Sequence, residues 1–261
     1  MVRLRWRTLL TLGLAALATT TAMAQRGGFN TYSGSAIANP RYDGKFTFIR
    51  LSYDYNCGFR RGPGAGGRGG CPPWSHDYPR GEENFLKIFH ELTNVDVRFD
   101  ASSVMSWSDP EVFKFPVVYM AEPGYWTMSD TDVKHFKAYL QKGGFLILDD
   151  FRGGDWGNVE MQIGRAFPAA RWVELDITSP VFHSFFEIPS IDVIPSAEGR
   201  RPRFIGLYED NDPTKRLMVV SAYDQDMSEF WEHSDEGWAP VAMNNEAFKI
   251  GINLFMYGIT H

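Results

Sequence analysis

Between Pro116 and Asp150 the chain reads as strand, helix and strand in close succession, and this alternation constrains the fold more than any other feature. Pro116-Val117-Val118-Tyr119-Met120 is a continuous apolar run suited to a buried parallel strand. A helix is predicted to open at Ser129, with Asp132 three residues on as an acidic variant of the capping box, and to pack through Val133, Phe136 and Leu140. Gly143-Gly144 stops it. Phe145-Leu146-Ile147-Leu148 follows at once as a second buried strand and ends in Asp149-Asp150. Strands and helices that alternate with short connections predict an α/β fold, a mainly parallel sheet with helices on both faces.

The flanking sequence extends the pattern. Phe46 to Tyr53 is β-branched and aromatic and predicts the first strand, and Phe85, Ile88, Phe89 and Leu92 form one stripe of a helix over Glu82 to Leu92. Val95 to Phe99 is expected to be a short second strand. Later come a helix over Asn158 to Phe167, strands at Trp172 to Leu175, Phe204 to Tyr208 and Leu217 to Tyr223, and a closing helix from Asn245 to Tyr257.

The beginning of the chain carries an address. Arg3, Arg5 and Arg7 precede an apolar run from Leu9 to Ala18, and Ala22-Met23-Ala24 completes the order of a secretory signal peptide. Residues 1–24 are therefore expected to be removed, and the protein to be periplasmic or secreted. Retention as an uncleaved anchor is the alternative, although the run is shorter than the roughly 20 apolar residues of a spanning helix. Without the leader, which holds three arginines and no acid, the formal charge moves from −6 to −9, so no nucleic-acid footprint is expected. Residues 25–45 predict a flexible N-terminal arm, and 46–261 a single domain that spans no membrane.

Cys57 and Cys71 are the two cysteines. Beyond an export signal such a pair reads first as a disulfide closing the glycine-rich insertion 58–70, worth about 3 kcal/mol in the chain-entropy model. A catalytic thiol is the sharper alternative, and no histidine context supports it. Gly64 to Gly70 also lacks the lysine and following helix of a phosphate loop.

The segments FTFIRLSYD, GEENFLKIFHELTNVDVRFD, DPEVFKFPVVYM, SDTDVKHFKAYLQKGGFLILDD and FKIGINLFMYGITH resemble, in this order, a bacterial family known as domain of unknown function 4159. The likeness runs from about Phe46 to His261, and its most specific piece is Lys137 to Asp150. It implies a three-layer sandwich of the class I glutamine amidotransferase-like, flavodoxin-like kind. Amidotransferases of that fold carry a nucleophilic cysteine on the turn after a central strand. Here that turn reads Asp149-Asp150-Phe151-Arg152-Gly153-Gly154, so glutaminase chemistry by a thiolate is not expected. The resemblance also implies a Gly-His-Gly-like turn after Met120, where this chain has Ala121-Glu122-Pro123-Gly124-Tyr125-Trp126.

In a doubly wound sheet the ligand crevice lies outside the carboxyl ends of the strands. The loops expected there are Asp54 to Tyr78, Ala121 to Trp126, Asp149 to Gly157 and Asp224 to Trp238. Asp149 and Asp150 are the candidate catalytic pair. Asp54, His76, Asp77, Glu122, Arg152 and Asp224 are candidate ligand contacts, with Asp155, Asp226, Glu232, His233, Asp235 and Glu236 on the same rim. Converging carboxylates would act as acid and base or hold a divalent cation. Against this stand the ordinary duties of such residues: aspartates at strand ends cap helices and fix turns, and loop histidines are commonly solvated. No H-E-x-x-H or other zinc spacing is present.

Aromatic residues make up 15% of the chain, and Trp74, Trp126, Trp156, Trp231 and Trp238 fall in the rim loops. Flat rings beside carboxylates suit a sugar. Tryptophans also pin long loops onto a sheet. Gly153-Gly154, between a strand and a helix, is either a tight turn or an anion cradle. Three functions are compatible with these residues: an accessory domain binding a small polar ligand such as a carbohydrate, a hydrolase using paired carboxylates with or without a metal, and an envelope interaction protein.

Overall fold

The computed structural model describes residues 39–55, 72–99, 102–196 and 200–261. The leader, most of the N-terminal arm, the glycine-rich segment and both Cys57 and Cys71 lie outside these residues. The first strand, β1 (Ile49–Leu51), is followed by a short β2 (Asp54–Tyr55), helix α1 (Arg80–Leu92) and β3 (Ser103–Met105). The middle of the chain gives β4 (Val117–Ala121), β5 (Trp126–Thr127), α2 (Asp130–Gln141), β6 (Phe145–Phe151) and α3 (Asp155–Ala166). Then come β7 (Trp172–Glu174), β8 (Arg203–Tyr208), β9 (Leu217–Tyr223), α4 (Met227–Glu232) and α5 (Val241–Thr260).

Seven strands make one sheet in the order β3-β1-β4-β6-β9-β8-β7, and β2 pairs with β5 apart from it. The first five are parallel, while β8 and β7 add antiparallel to the far edge. Counted along the chain, the parallel strands run 2-1-3-4-5. The chain leaves β1 in one direction toward β3 and resumes at β4 on the other side, so strand order switches between β1 and β4. That switch is where a doubly wound sheet opens a crevice.

Local rules explain the central unit. The Ser129 hydroxyl accepts from the Asp132 amide and the Asp132 carboxylate accepts from the Ser129 amide, a complete capping box that starts α2. Phe136, Tyr139 and Leu140 are its buried positions. At Gly144 a Cβ would sit 2.3 Å from the Tyr139 ring, so only glycine lets the chain re-enter the sheet so close to its own helix. Val117, Tyr119 and Ala121 of β4 and Phe145 and Ile147 of β6 share one core with Phe85 and Phe89 of α1, Trp231 of α4 and Phe255 of α5. The intervening Val118, Met120, Leu146 and Leu148 are equally buried and, by the two-residue period, point the other way. The buried residues of α2 and α3, Phe136, Leu140, Val159 and Ile163, stand outside the first core and belong to that second face.

Two elements differ from the sequence expectation. Val95 to Phe99 contributes only a bridge from Val97 to Phe46, and the strand beside β1 is the three-residue Ser103–Met105, whose register is fixed by its pairing with Ile49–Leu51. The stretch read as a loop from Asp224 to Trp238 contains α4, because Met227, Phe230 and Trp231 at helical spacing bury one face against α1 and α5. Residues 39–45 form no regular element, although the Asn39 side chain pairs with the Val104 backbone at 2.7 and 2.9 Å. Among the described residues no helix is long and apolar enough to cross a membrane.

Candidate functional site

Acidic residues at the carboxyl edge of the sheet hold an unusual backbone. Asp77, Glu122, Asp150 and Asp224 have φ of 61°, 47°, 54° and 57°. A Cβ makes this left-handed region unfavourable by roughly 1–2 kcal/mol, and aspartate tolerates it better than glutamate does. Such conformations persist where the surroundings over-determine them, and they concentrate at functional sites. Glu122 follows β4, Asp150 lies within β6, Asp224 follows β9 and Asp77 closes the loop before α1. Each strained residue therefore marks a place where the chain turns over the crevice.

The turn at Asp150 separates two adjacent aspartates. The β6–β9 register shifts between Leu148 and Phe151. Asp149 is fully buried, where it accepts from the Tyr119 hydroxyl at 2.6 Å and from the amides of Met227 and Ser228 at 3.0 and 3.2 Å. It thereby satisfies the first amides of α4, far along the chain, and not those of α3, the helix that follows β6. Asp150 instead meets His76: its Oδ2 lies 2.5 Å from Nδ1, and its Oδ1 accepts from Arg152 at 2.9 Å.

His76 is placed from beneath. Buried Arg50 on β1 donates from Nη1 to the carbonyls of Trp74 and His76 at 3.0 and 2.8 Å, and its Nε pairs with Glu82 on α1. The imidazole then faces acids on both edges. Besides Asp150, Nδ1 lies 3.4 Å from Glu122 Oε1, and Nε2 lies 3.5 Å from Asp77 Oδ1 and 4.0 Å from Glu229 Oε2. The Asp77 Oδ2 atom accepts from Ser228 Oγ at 2.5 Å.

The electrostatics follow from this crowding. Burial disfavours a charged imidazole, but the hydrogen bond to Asp150 and the charges of Asp77, Asp150 and Glu122 outweigh it and hold His76 up at about 10. Burial pushes Asp149 up to about 7, aided by the Asp150 charge, and raises Asp150 itself against the pull of His76. Asp226, buried near Asp150, Asp77 and Asp149, stands well above the usual carboxylate range. Burial and Asp77 raise Glu229 and carry Glu232 to about 7. A site that lifts this many carboxylates favours protons or added positive charge.

Three groups have ligand atoms within 4.8 Å of one another and so could hold a metal: His76 with Glu122 and Asp150, His76 with Asp77 and Glu229, and Glu229 with Glu232 and His233. Glu229, Arg50 and Glu82 were not singled out from sequence. Glu229, Glu232 and His233 are spaced three and four apart, a signal usable only once the segment is known to be helical.

Of the residues expected at the rim, His76, Asp77, Glu122, Asp150, Arg152 and Asp226 converge here. Asp54 does not: it is exposed on β2 and lines a separate groove of about 330 Å³ with Tyr53, Trp74 and Trp107. Asp224 is half-buried, 3.6 Å from Arg200. Asp155 accepts from the Arg152 amide, and Asp235 and Glu236 pair with Arg80. Trp126 and Trp231 are buried; the first packs edge-on to Phe136, and the second donates to the Ala247 carbonyl and lies against Phe85. Trp156 is half-buried and stacked on Phe151, and Trp238 is exposed.

None of the curated proteins compared with the chain matches it. The family model of a domain of unknown function, DUF4159, matches residues 65–259, a span that includes β4, β6, β9, α4 and nearly all of the cluster around His76. On that match, over most of its length, the chain belongs to the DUF4159 family.

Proposed function

We propose that this domain is an exported hydrolase whose centre is the His76–Asp150 pair, acting on a small polar substrate over the carboxyl edge of the sheet. The observation that carries the reading is the carboxylate at 2.5 Å from Nδ1, itself held by Arg152, which orients the imidazole and leaves Nε2 toward the acid-lined side. An imidazole fixed by a third group is the geometry of proton transfer, and held up at about 10 it enters as the proton donor, with the neighbouring carboxylates as acceptors. Spacing supports one of the acid-based chemistries over the other. Ligand oxygens of Glu122 and Asp150 lie within 4.8 Å of one another, both on the Nδ1 edge of His76. Two carboxylates on one edge of an imidazole support histidine-centred or metal-assisted hydrolysis over a metal-free glycosidase.

The 2-1-3-4-5 order of the parallel strands supports the flavodoxin-like, three-layer reading and with it the likeness to class I amidotransferases. The leader and the cysteine pair support a periplasmic or secreted location. A second reading, carbohydrate binding without turnover, is favoured by Trp238, a residue 46% exposed whose ring centroid lies 5.7 Å from that of His233.

The test is a panel of nitrophenyl esters, phosphates and glycosides assayed with the wild-type protein and with Asp150→Asn. Turnover that falls by about a hundredfold or more in a folded variant supports the centre. No turnover across the panel, or an unaffected Asp150→Asn protein, removes it.

A further inference from the structure

The Nε2 edge of His76 and the Nδ1 edge are not equivalent. At Nδ1 the Asp150 oxygen is at hydrogen-bond distance, 2.5 Å, which leaves no space for an ion between them. At Nε2 the nearest carboxylate oxygens, Asp77 Oδ1 and Glu229 Oε2, stand at 3.5 and 4.0 Å, too far for strong hydrogen bonds. Atoms bound to one ion at about 2.0–2.2 Å can be no more than about 4.4 Å apart, and both separations fall inside that limit.

A second observation comes from Asp77 alone. Its side chain is buried, with 4% of the residue exposed, and its Oδ2 takes the Ser228 hydroxyl. Its Oδ1, the atom directed at Nε2, takes no hydrogen bond of ordinary length, and the Glu232 carboxyl, raised by burial and by the Asp77 charge, crowds the same carboxylate. A buried carboxylate oxygen left in this state is costly, and a cation in front of it removes the cost. The other ring nitrogen adds a third argument. Metal-ligating histidines characteristically give their free N–H to a carboxylate, which fixes the tautomer and raises the ligand's basicity, and Asp150 stands in that position.

We infer that His76 Nε2, Asp77 Oδ1 and Glu229 Oε2 bind a first-row divalent cation of the Zn²⁺ or Mn²⁺ kind, with Asp150 as the outer carboxylate on Nδ1. One nitrogen and two oxygens suit such ions, and two carboxylates match their charge. The inference rests on the cluster being the centre proposed above, and a cation held there supplies a Lewis acid beside the His76–Asp150 pair.

The experiment is calorimetric titration of the untagged, chelator-treated protein with Zn²⁺ and with Mn²⁺, in the wild type and in Asp77→Asn, Glu229→Gln and Glu160→Gln. Asparagine tolerates the left-handed backbone at position 77 and keeps an acceptor for Ser228, and a metal-free melting curve checks that each variant is folded. The expected result is saturable binding by the wild type, weakened about tenfold or more by Asp77→Asn and by Glu229→Gln, and unchanged by Glu160→Gln, which is exposed on α3. Absence of binding for both ions at millimolar concentration, or equal affinity in all four proteins, overturns the inference. The two readings fail separately: turnover lost in Asp150→Asn without any metal binding leaves the hydrolase and removes the cation. Metal binding without turnover does the reverse.

Discussion

Replacing Arg50 by methionine removes a cation that three groups share. Arg50 is buried, its Nε pairs with the equally buried Glu82, and its Nη1 serves the carbonyls of Trp74 and His76. Methionine fills comparable space but leaves Glu82 without its charged partner and two carbonyls without that donor. Removing one member of a buried ion pair costs about 3–5 kcal/mol. For a domain of this size each kcal/mol is worth about 2–4 °C of melting temperature, so Arg50→Met is expected to melt about 10 °C lower at pH 8. At pH 5.5 the deficit shrinks, because Glu82 takes up a proton. The double variant Arg50→Met, Glu82→Met, which leaves no buried charge at the pair, recovers part of the loss. Circular dichroism melts of the wild type, the two single variants and the double variant at both pH values give the full cycle. An Arg50→Met protein that melts with the wild type, or a double variant no more stable than Arg50→Met, would refute the claim that this pair supports the His76 loop.

Three further outcomes are expected. Burial pushes Glu82 up to about 7 even against the Arg50 guanidinium. A carboxyl raised in the folded state contributes stability below its unfolded value of 4.5, and this is lost as pH rises through about 7. Urea unfolding of the wild type should therefore lose about 3 kcal/mol more than Glu82→Gln between pH 4.5 and 8, and parallel pH profiles count against it. Asp149→Ala leaves the Tyr119 hydroxyl and the Met227 and Ser228 amides without their buried acceptor and should cost about 3 kcal/mol in urea, whereas a change below about 1 kcal/mol means that α4 does not depend on this cap. In Gly251→Ala the new Cβ would lie 2.5 Å from Trp231 Cζ2 and 2.9 Å from Phe85 Cε2, so despite better helix propensity it should destabilise by about 1–3 kcal/mol and alter tryptophan emission; an unchanged melt and spectrum contradict the packing of α5 on α4.

The central β4–α2–β6 unit was legible because its causes are local. An apolar run, a serine with an aspartate three residues on, and a glycine pair act within a few residues of themselves, and the structure holds each where the pattern put it. The strand at Ser103–Met105 was not legible, since three residues are too few to display a period and are held by pairing with β1. Helix α4 was obscured for a related reason. Its six residues are too few for periodicity to stand out between acidic turns, and its apolar face becomes meaningful only against α1 and α5.

For the candidate site, the sequence by itself determined which chemical groups stand near the strand ends: Glu122 after β4, Asp149 and Asp150 on β6, and Asp226 after β9. Only the tertiary structure decided their work. Adjacent aspartates part company, one capping α4 and the other meeting an imidazole 74 residues away, because a register shift and a left-handed backbone at Asp150 turn it toward the crevice. Glu229 joins them from α4, and Arg50 holds His76 in place from under the sheet edge. Electrostatic coupling depends on distances through space and on exclusion of water, and both quantities come into being only when the chain has folded.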